Sequence, residues 1–336
     1  MILVTGGTGL VGGHLIWHLL QKHNKVVAIK RESSKISQLE SILGFYTDDV
    51  NSYIKRVEWR IADMCDEDSL RKSLSGIDTV YHCAAMVSLG GSGSGMTDVN
   101  VSGTKMMVEL ALEQKIRRFC FVSSIAACGH NQNPNDLIDE NTPVYPDEIK
   151  SLYAKSKYLS EQEVWKGIKN GLHAVIVNPG VILGYSGSDS GSARIFSLVK
   201  KGLLFYTPGG SGYVDVKDVA AMMIALSESE IAGERFILVG ENKTTREILS
   251  AIAAGYGKVK PFIGINRGMM MFLGRIAETL AKVTGVKPLF DQQAAKSATS
   301  LSRYSNAKVL NALHIKFTPI DSCISGVCKF DQKSGY

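Results

Sequence analysis

The sequence predicts an α/β fold, a Rossmann-type doubly wound parallel sheet followed by a smaller, mainly helical C-terminal domain. Three observations predict it. Short apolar or β-branched runs at 2–5, 25–29, 57–62, 79–83, 119–123 and 174–178 alternate with helically spaced segments at 10–22, 69–74, 104–114 and 152–169. A glycine-rich turn, Thr5-Gly6-Gly7-Thr8-Gly9-Leu10-Val11-Gly12, joins the first run to the first helical segment. After Pro179 the alternation loosens, and the remainder reads mainly as helix.

The alternation implies right-handed βαβ units, because parallel neighbours need a crossover and the helix packs back on the sheet with that hand. Fully apolar runs such as Ile2–Thr5 suit strands buried on both faces. Residues 184–191 and 209–212 read as glycine-rich turns, followed by Tyr213-Val214-Asp215-Val216, a helix over 219–226 and a strand over 236–239. Residues 1–180 and 213–240 are expected to form the dinucleotide-binding domain, and 181–212 with 241–336 the second lobe. An apolar stripe over 266–283 reads as a helix facing the core or a second subunit.

Composition excludes several classes. Hydrophobic residues are 45% and charged residues 21% of 336, the balance of an ordinary globular chain. No run of about 18 uncharged apolar residues supports a spanning helix, and the N-terminus lacks the basic segment of a signal peptide. The six cysteines, at 65, 83, 120, 128, 323 and 328, show no zinc-ligand spacing. They read as buried, reduced thiols of a cytoplasmic protein. The net charge of +6 is spread along the chain without aromatic interleaving, so a solvated surface is expected and no nucleic-acid partner. No metal is expected, and a homodimer is compatible with the pattern.

The glycine turn carries the first chemical signal. Glycine there permits a tight turn, close approach of a pyrophosphate to the backbone, and close helix–strand packing, while the helix N-terminus offers free N–H groups to the phosphates. Thr5, Gly6, Thr8, Gly9, Leu10, Val11 and Gly12 are therefore dinucleotide-binding candidates. The second strand ends Ala28-Ile29-Lys30-Arg31-Glu32. NAD enzymes usually place an acid at that point for the ribose 2′-hydroxyl. Lys30 and Arg31 instead suit a 2′-phosphate, which favours NADP(H). Glu32 keeps NAD(H) open. Asp63 is placed for the adenine edge, with a helix-capping role as the alternative. Ala84, Ala85 and Met86 supply a close approach after the fourth strand, and Asn100 stands at an expected helix start, where a cap would also serve.

Tyr153-Ala154-Lys155-Ser156-Lys157 puts a phenol and an ammonium four residues apart, on one helix face. A cation beside the phenol, helped by an oxidised nicotinamide, is expected to lower its pKa and make Tyr153 a general acid–base for hydride transfer at a carbinol carbon. Ser124, at the end of the fifth strand, can hold the substrate oxygen.

These motifs, with Asp63-Met64, His82-Cys83-Ala84-Ala85, Asn100-Val-Ser-Gly-Thr, Asn178-Pro179-Gly180 and Tyr213-Val-Asp-Val-Lys-Asp218, resemble the extended short-chain dehydrogenase/reductase family, also called the NAD-dependent epimerase/dehydratase family. The resemblance implies a Rossmann domain with a C-terminal substrate domain, Ser124, Tyr153 and Lys157 as catalytic residues, and a nicotinamide lined by Asn178, Pro179, Gly180 and Val181.

Departures narrow the expected reaction. Sugar 4,6-dehydratases of this family carry a Thr-Asp-Glu triplet where this chain has Ser124-Ile125-Ala126. Sugar-nucleotide epimerases commonly carry a diphosphate-gripping Arg where Ser211 and Gly212 stand, with Arg194 as the one candidate substitute. The chain is more similar to the dihydroflavonol-reductase and 3β-hydroxysteroid-dehydrogenase-like branch. That implies reduction of a ketone or aldehyde, or oxidation of a secondary alcohol, on a small substrate without strong charge. An NAD-dependent epimerase and a non-catalytic NADP sensor are the alternatives, and the Tyr/Lys pair argues against the sensor.

Overall fold

A computed structural model describes residues 1–86, 95–130, 136–149, 151–188, 191–266, 268–269 and 299–334. The expected apolar helix over 266–283 lies almost wholly outside the described residues.

Seven parallel strands form the central sheet: β1 (Ile2–Thr5), β2 (Val26–Lys30), β3 (Val57–Ile61), β4 (Thr79–His82), β5 (Arg118–Val122), β6 (Ala174–Pro179) and, later in the chain, Glu234–Leu238, which is β10. Their order is β10-β6-β5-β4-β1-β2-β3. The chain reverses direction across the sheet between β1 and β4, and ligands of such sheets bind in the crevice at that switch point. Each expected strand lies within one or two residues of its observed bounds, and all but the edge strand β3 are buried along most of their length.

Helices α1 (Leu10–Lys22) and α8 (Val216–Glu228) cover one face of the sheet. Helices α5 (Met96–Glu113) and α6 (Leu152–Lys169) cover the other, with α4 (Glu67–Ser73) beside them. Short helices α2 (Ser37–Gly44) and α3 (Val50–Ile54) follow β2 and cap the α1 face.

A third apolar cluster gathers β7 (Val181–Leu183), α7 (Ala193–Lys200), α9 (Thr245–Gly255) and the C-terminal helix α11 (Ile320–Lys333). A small sheet, ordered β11-β9-β7, joins this cluster to the main one through β9 (Gly210–Asp215) and β11 (Glu241–Thr244). Strands β8 (Phe205–Tyr206) and β12 (Ile263–Gly264) pair separately. Helix α10 (Ala307–Leu313) packs back on the central sheet, with Val309 fully buried against the face that α8 also covers.

Three readings change. Residues 210–212 are strand, not turn. The glycines there allow two chains to cross closely, since a Cβ on Gly212 would stand 2.5 Å from Val239 Cγ2 and one on Gly180 would stand 2.4 Å from the Gly212 carbonyl oxygen. Helix α5 begins eight residues before the expected start at 104, which puts Asn100 in its interior and removes the capping role. Cys65 is exposed and Cys83 half-buried, so buried thiols describe only Cys120, Cys128, Cys323 and Cys328. Among the described residues no helix is long and apolar enough to cross a membrane.

Candidate active site

The glycine turn is closed by its own backbone. Gly9 N–H donates to the Gly6 carbonyl at 2.9 Å, and Gly6 has φ +66°, a conformation that glycine adopts without strain. A Cβ on Gly12 would lie 2.2 Å from the Gly6 oxygen, and one on Gly6 would lie 2.9 Å from Ala84 N. Gly9 differs, because a Cβ there would meet only the Gly6 oxygen at 3.3 Å. Thr5 is fully buried, and its hydroxyl accepts from Ala84 N–H at 3.0 Å and meets His82 Nδ1 at 2.8 Å. It therefore ties β1 to the segment after β4 and gives Gly6 and Ala84 their close approach.

Asn100 is 6% exposed and clasps Met86. Its Oδ1 accepts from Met86 N–H at 2.7 Å, and its Nδ2 donates to the Met86 carbonyl at 3.0 Å and to Ser156 Oγ at 3.2 Å. Ser156 Oγ in turn donates to the Tyr153 carbonyl at 2.8 Å. The loop after β4 is thus pinned to the first turn of α6, the turn that carries Tyr153.

Ser124 caps a single 3-10 turn after β5, its hydroxyl accepting from Ala126 N–H at 3.1 Å. Burial holds the Tyr153 phenol above its usual value, against the opposing influence of the Ser124 hydroxyl. The expected lowering involves a bound oxidised nicotinamide as well as Lys157, and the protein alone leaves the phenol raised. The Lys157 ammonium, 4% exposed, donates to the Val122 carbonyl at 2.8 Å and lies 5.4 Å from the Phe121 ring centre. Burial lowers its pKa to about 8, with Cys83 and Glu161 acting in the opposite direction.

Asn178, fully buried at the end of β6, donates to the Ser124 carbonyl and to Glu161 Oε2, each at 3.0 Å. Its Oδ1 has no partner among the described residues. Pro179 continues β6 beside Leu238, and Gly180 N–H donates to the Leu238 carbonyl. Val181 opens β7 and is half-buried.

The outer candidates are less enclosed. Lys30 is half-buried, while Arg31 and Glu32 are exposed. Among the described residues neither cation pairs with a carboxylate. Asp63 is exposed and its carboxylate accepts from Cys65 N–H at 2.9 Å, a local turn, while Asp66 caps α4. Met64 packs against the α5 side of the core, where Gly103 makes room for it. Arg194 sits half-buried on α7.

Sequence reasoning missed Glu161. It stands on the same face of α6 as Tyr153 and Lys157, four residues beyond the lysine, and its 1% exposure is unusual for a carboxylate. Its position at i+4 from Lys157, between apolar Leu159 and Val164, was the available signal.

A seven-stranded parallel sheet with a glycine turn after β1, and with Ser124, Tyr153 and Lys157 gathered at the ends of β5 and α6, defines an enzyme of the extended short-chain dehydrogenase/reductase class. The chain matches the NAD dependent epimerase/dehydratase family over residues 2–240 and belongs to it. It is 31% identical to sterol demethylase protein B of Methylococcus capsulatus, covering 83% of this chain and 82% of that protein. It is 26% identical to a putative dihydroflavonol 4-reductase of Synechocystis, covering 99% and 95%. The crystal structure of gox2253 superposes with a TM-score of 0.83 at 25% identity, covering 100% of this chain and 98% of that one.

Proposed function

We propose that the protein is an NADP(H)-dependent oxidoreductase that reduces a ketone or aldehyde, or oxidises the matching secondary alcohol, on a small substrate without strong charge. The observation that carries this is the convergence of Ser124, a protonated Tyr153 and a buried Lys157 ammonium at the carboxyl end of β5.

The residues present fit a nicotinamide dinucleotide. No side chain caps the first turn of α1, which leaves its N–H groups to an anion. Gly9 is open toward that turn, and the buried Asn178 Oδ1 awaits a donor. The pyrophosphate is assigned to residues 6–12, a 2′-phosphate to Lys30 and Arg31, adenine to Asp63 and Met64, and the nicotinamide end to Ala84–Met86 and 178–181. When bound, the dinucleotide supplies or accepts the hydride.

The protein's own part is protonic and positional. In reduction, Ser124 holds the carbonyl oxygen. As the carbonyl carbon gains a hydride, the C=O electron pair moves to oxygen, which takes the proton of the Tyr153 phenol. The raised Tyr153 pKa keeps that proton in place at neutral pH. Lys157 then steadies the phenolate.

Residues 181–212 and 241–336 are assigned as the substrate lobe. A weakly charged substrate is supported by Ser211 and Gly212, which pair with Lys243 and Asn242 in the β9–β11 ladder. Lys243, the cation opposite Ser211, is already ion-paired with Glu241 and Asp321 and so is not free to grip a diphosphate. Met86, held by Asn100, and Leu152, next to Tyr153, are each about half exposed and give the approach to the site an apolar character. A screen of aldehydes and ketones with NADPH consumption as readout tests the reading. Turnover lost in Tyr153→Phe supports it. Tightly retained NAD with uridine-nucleotide binding, and no NADPH consumption, would mean an epimerase.

A further inference from the structure

Glu161 lies at the centre of a buried network that the catalytic trio does not include. Its Oε2 accepts from Ser123 Oγ at 2.7 Å and from Asn178 Nδ2 at 3.0 Å. Its Oε1 pairs with Arg235 Nη1 at 3.3 Å and accepts from Trp165 Nε1 at 3.4 Å. Arg235 reaches onward from β10 to the Glu140 carbonyl through Nε at 3.0 Å, and Glu140 Oε1 accepts from Ile237 N–H at 2.8 Å. Two of these partners touch the turn that presents Ser124: Ser123 precedes it in the chain, and Asn178 holds its carbonyl.

We infer that Glu161 is a positioning residue for the reaction, its buried carboxylate fixing the Ser124 turn to β6 and β10 while setting a negative charge one helical turn from the Lys157 ammonium. The inference rests on the oxidoreductase reading.

The geometry makes a purely structural role an incomplete account. A buried ion pair is weak as a stabiliser, because desolvation of both charges offsets most of their attraction. An apolar side chain would fill the same space. Here the carboxylate instead takes donors from Ser123 just past β5, from β6 and from β10, at the point where they meet the catalytic helix. The groups facing Lys157 are Cys83 and His82 after and at the end of β4, the Val122 carbonyl and Phe121 ring of β5, and Tyr153 and Glu161 on α6. Glu161 supplies the full negative charge among them. Facing Glu161 are Ser123, Asn178, Arg235 and Trp165, with Cys128 and Glu140 near the same ion pair. Removing its charge lowers the Lys157 pKa from about 8, so the ammonium is lost at lower pH.

The test uses Glu161→Gln, Glu161→Asp and Ser123→Ala in the full-length protein. Two readouts are followed: the pH profile of NADPH-dependent reduction with a substrate from the carbonyl screen, and the titration of Lys157 by NMR with isotope-labelled lysine. Glu161→Gln is expected to lower kcat roughly 10- to 100-fold, the cost of a small misplacement of reacting groups, with KM for NADPH unchanged. It should also move the alkaline limb and the Lys157 titration to lower pH, and Glu161→Asp should partly restore both. Ser123→Ala should lower kcat without moving the limb. Wild-type kcat and limb in Glu161→Gln would overturn the inference. Should that variant fail to fold, wild-type kcat in Ser123→Ala overturns it equally. If the wild type turns over no carbonyl compound, the oxidoreductase reading fails, and the Lys157 titration still decides the charge effect: an unmoved titration overturns it.

Discussion

Asn178 holds the carbonyl of Ser124 at 3.0 Å, joining the end of β6 to the turn that follows β5. The two strands are neighbours in the sheet, and the bond crosses the gap just beyond the last ladder contact between Val122 and Val177. Replacing Asn178 by Ala leaves that carbonyl and the Glu161 carboxylate each one donor short. Unfolding free energy should fall by about 1–3 kcal/mol, the penalty of unpaired buried polar groups. Turnover should fall as well, because Ser124 loses its anchor. Urea unfolding and kcat on the same preparation check both.

Tyr153→Phe removes the proposed proton donor from the buried pocket beside Ser124 while leaving the helix intact. Turnover should drop roughly 10²–10⁴-fold with folding and NADPH affinity retained. Ser124→Ala should cost less, since Tyr153 alone still polarises the carbonyl. Near wild-type turnover in Tyr153→Phe would remove the tyrosine from the reaction.

Gly9 and Gly12 separate binding from folding. A side chain at Gly12 collides with the Gly6 carbonyl at 2.2 Å, backbone that cannot move without opening the turn, so Gly12→Val should destabilise the protein. A side chain at Gly9 meets only one protein atom, at 3.3 Å. Gly9→Val should therefore fold and yet lose dinucleotide binding. Tight NADPH binding by Gly9→Val, measured by calorimetry, would place the dinucleotide elsewhere.

Lys30 at the end of β2 and Arg31 just past it pair with no carboxylate among the described residues. A 2′-phosphate carries about two negative charges at neutral pH, and each charge-assisted bond contributes about 1.5–3 kcal/mol before screening. NADPH should therefore bind of order 10²-fold more tightly than NADH, and Arg31→Ala should erase most of that preference. Equal affinities in the wild type would instead make Glu32 the residue to vary.

Two buried histidines predict acid sensitivity. Burial lowers the pKa of His14 and of His82 from 6.5 to about 3 in each case. Between these values the unfolded chain binds two protons that the folded chain refuses. Stability is thus complete above about pH 6.5 and declines as pH falls toward about 3, by about 1.4 kcal/mol per pH unit for each histidine. Urea midpoints at several pH values should show that slope. His14→Gln should remove about half of it, whatever its effect on stability at neutral pH.

Much of the framework was legible because it is local. The glycine turn, the apolar strands and the Tyr153/Lys157 spacing each depend on residues within a few positions of one another. The errors share one cause. Gly210 and Gly212 look like a turn until the chain that crosses them, at Gly180 and Val239, is in view. Asn100 looks like a cap until Met86 and Ser156 are found on either side of it.

By itself the sequence determined the order of strands and helices, the glycine turn and the candidate reacting side chains, since periodicity, glycine and a four-residue spacing act through short-range geometry. Only the tertiary structure decided that Glu161 and Asn178 meet at the Ser124 turn, that Thr5 binds strand to loop, and that burial raises the Tyr153 pKa. Those outcomes depend on desolvation and on contacts between residues tens of positions apart, and a buried charge or amide is defined by what surrounds it in space.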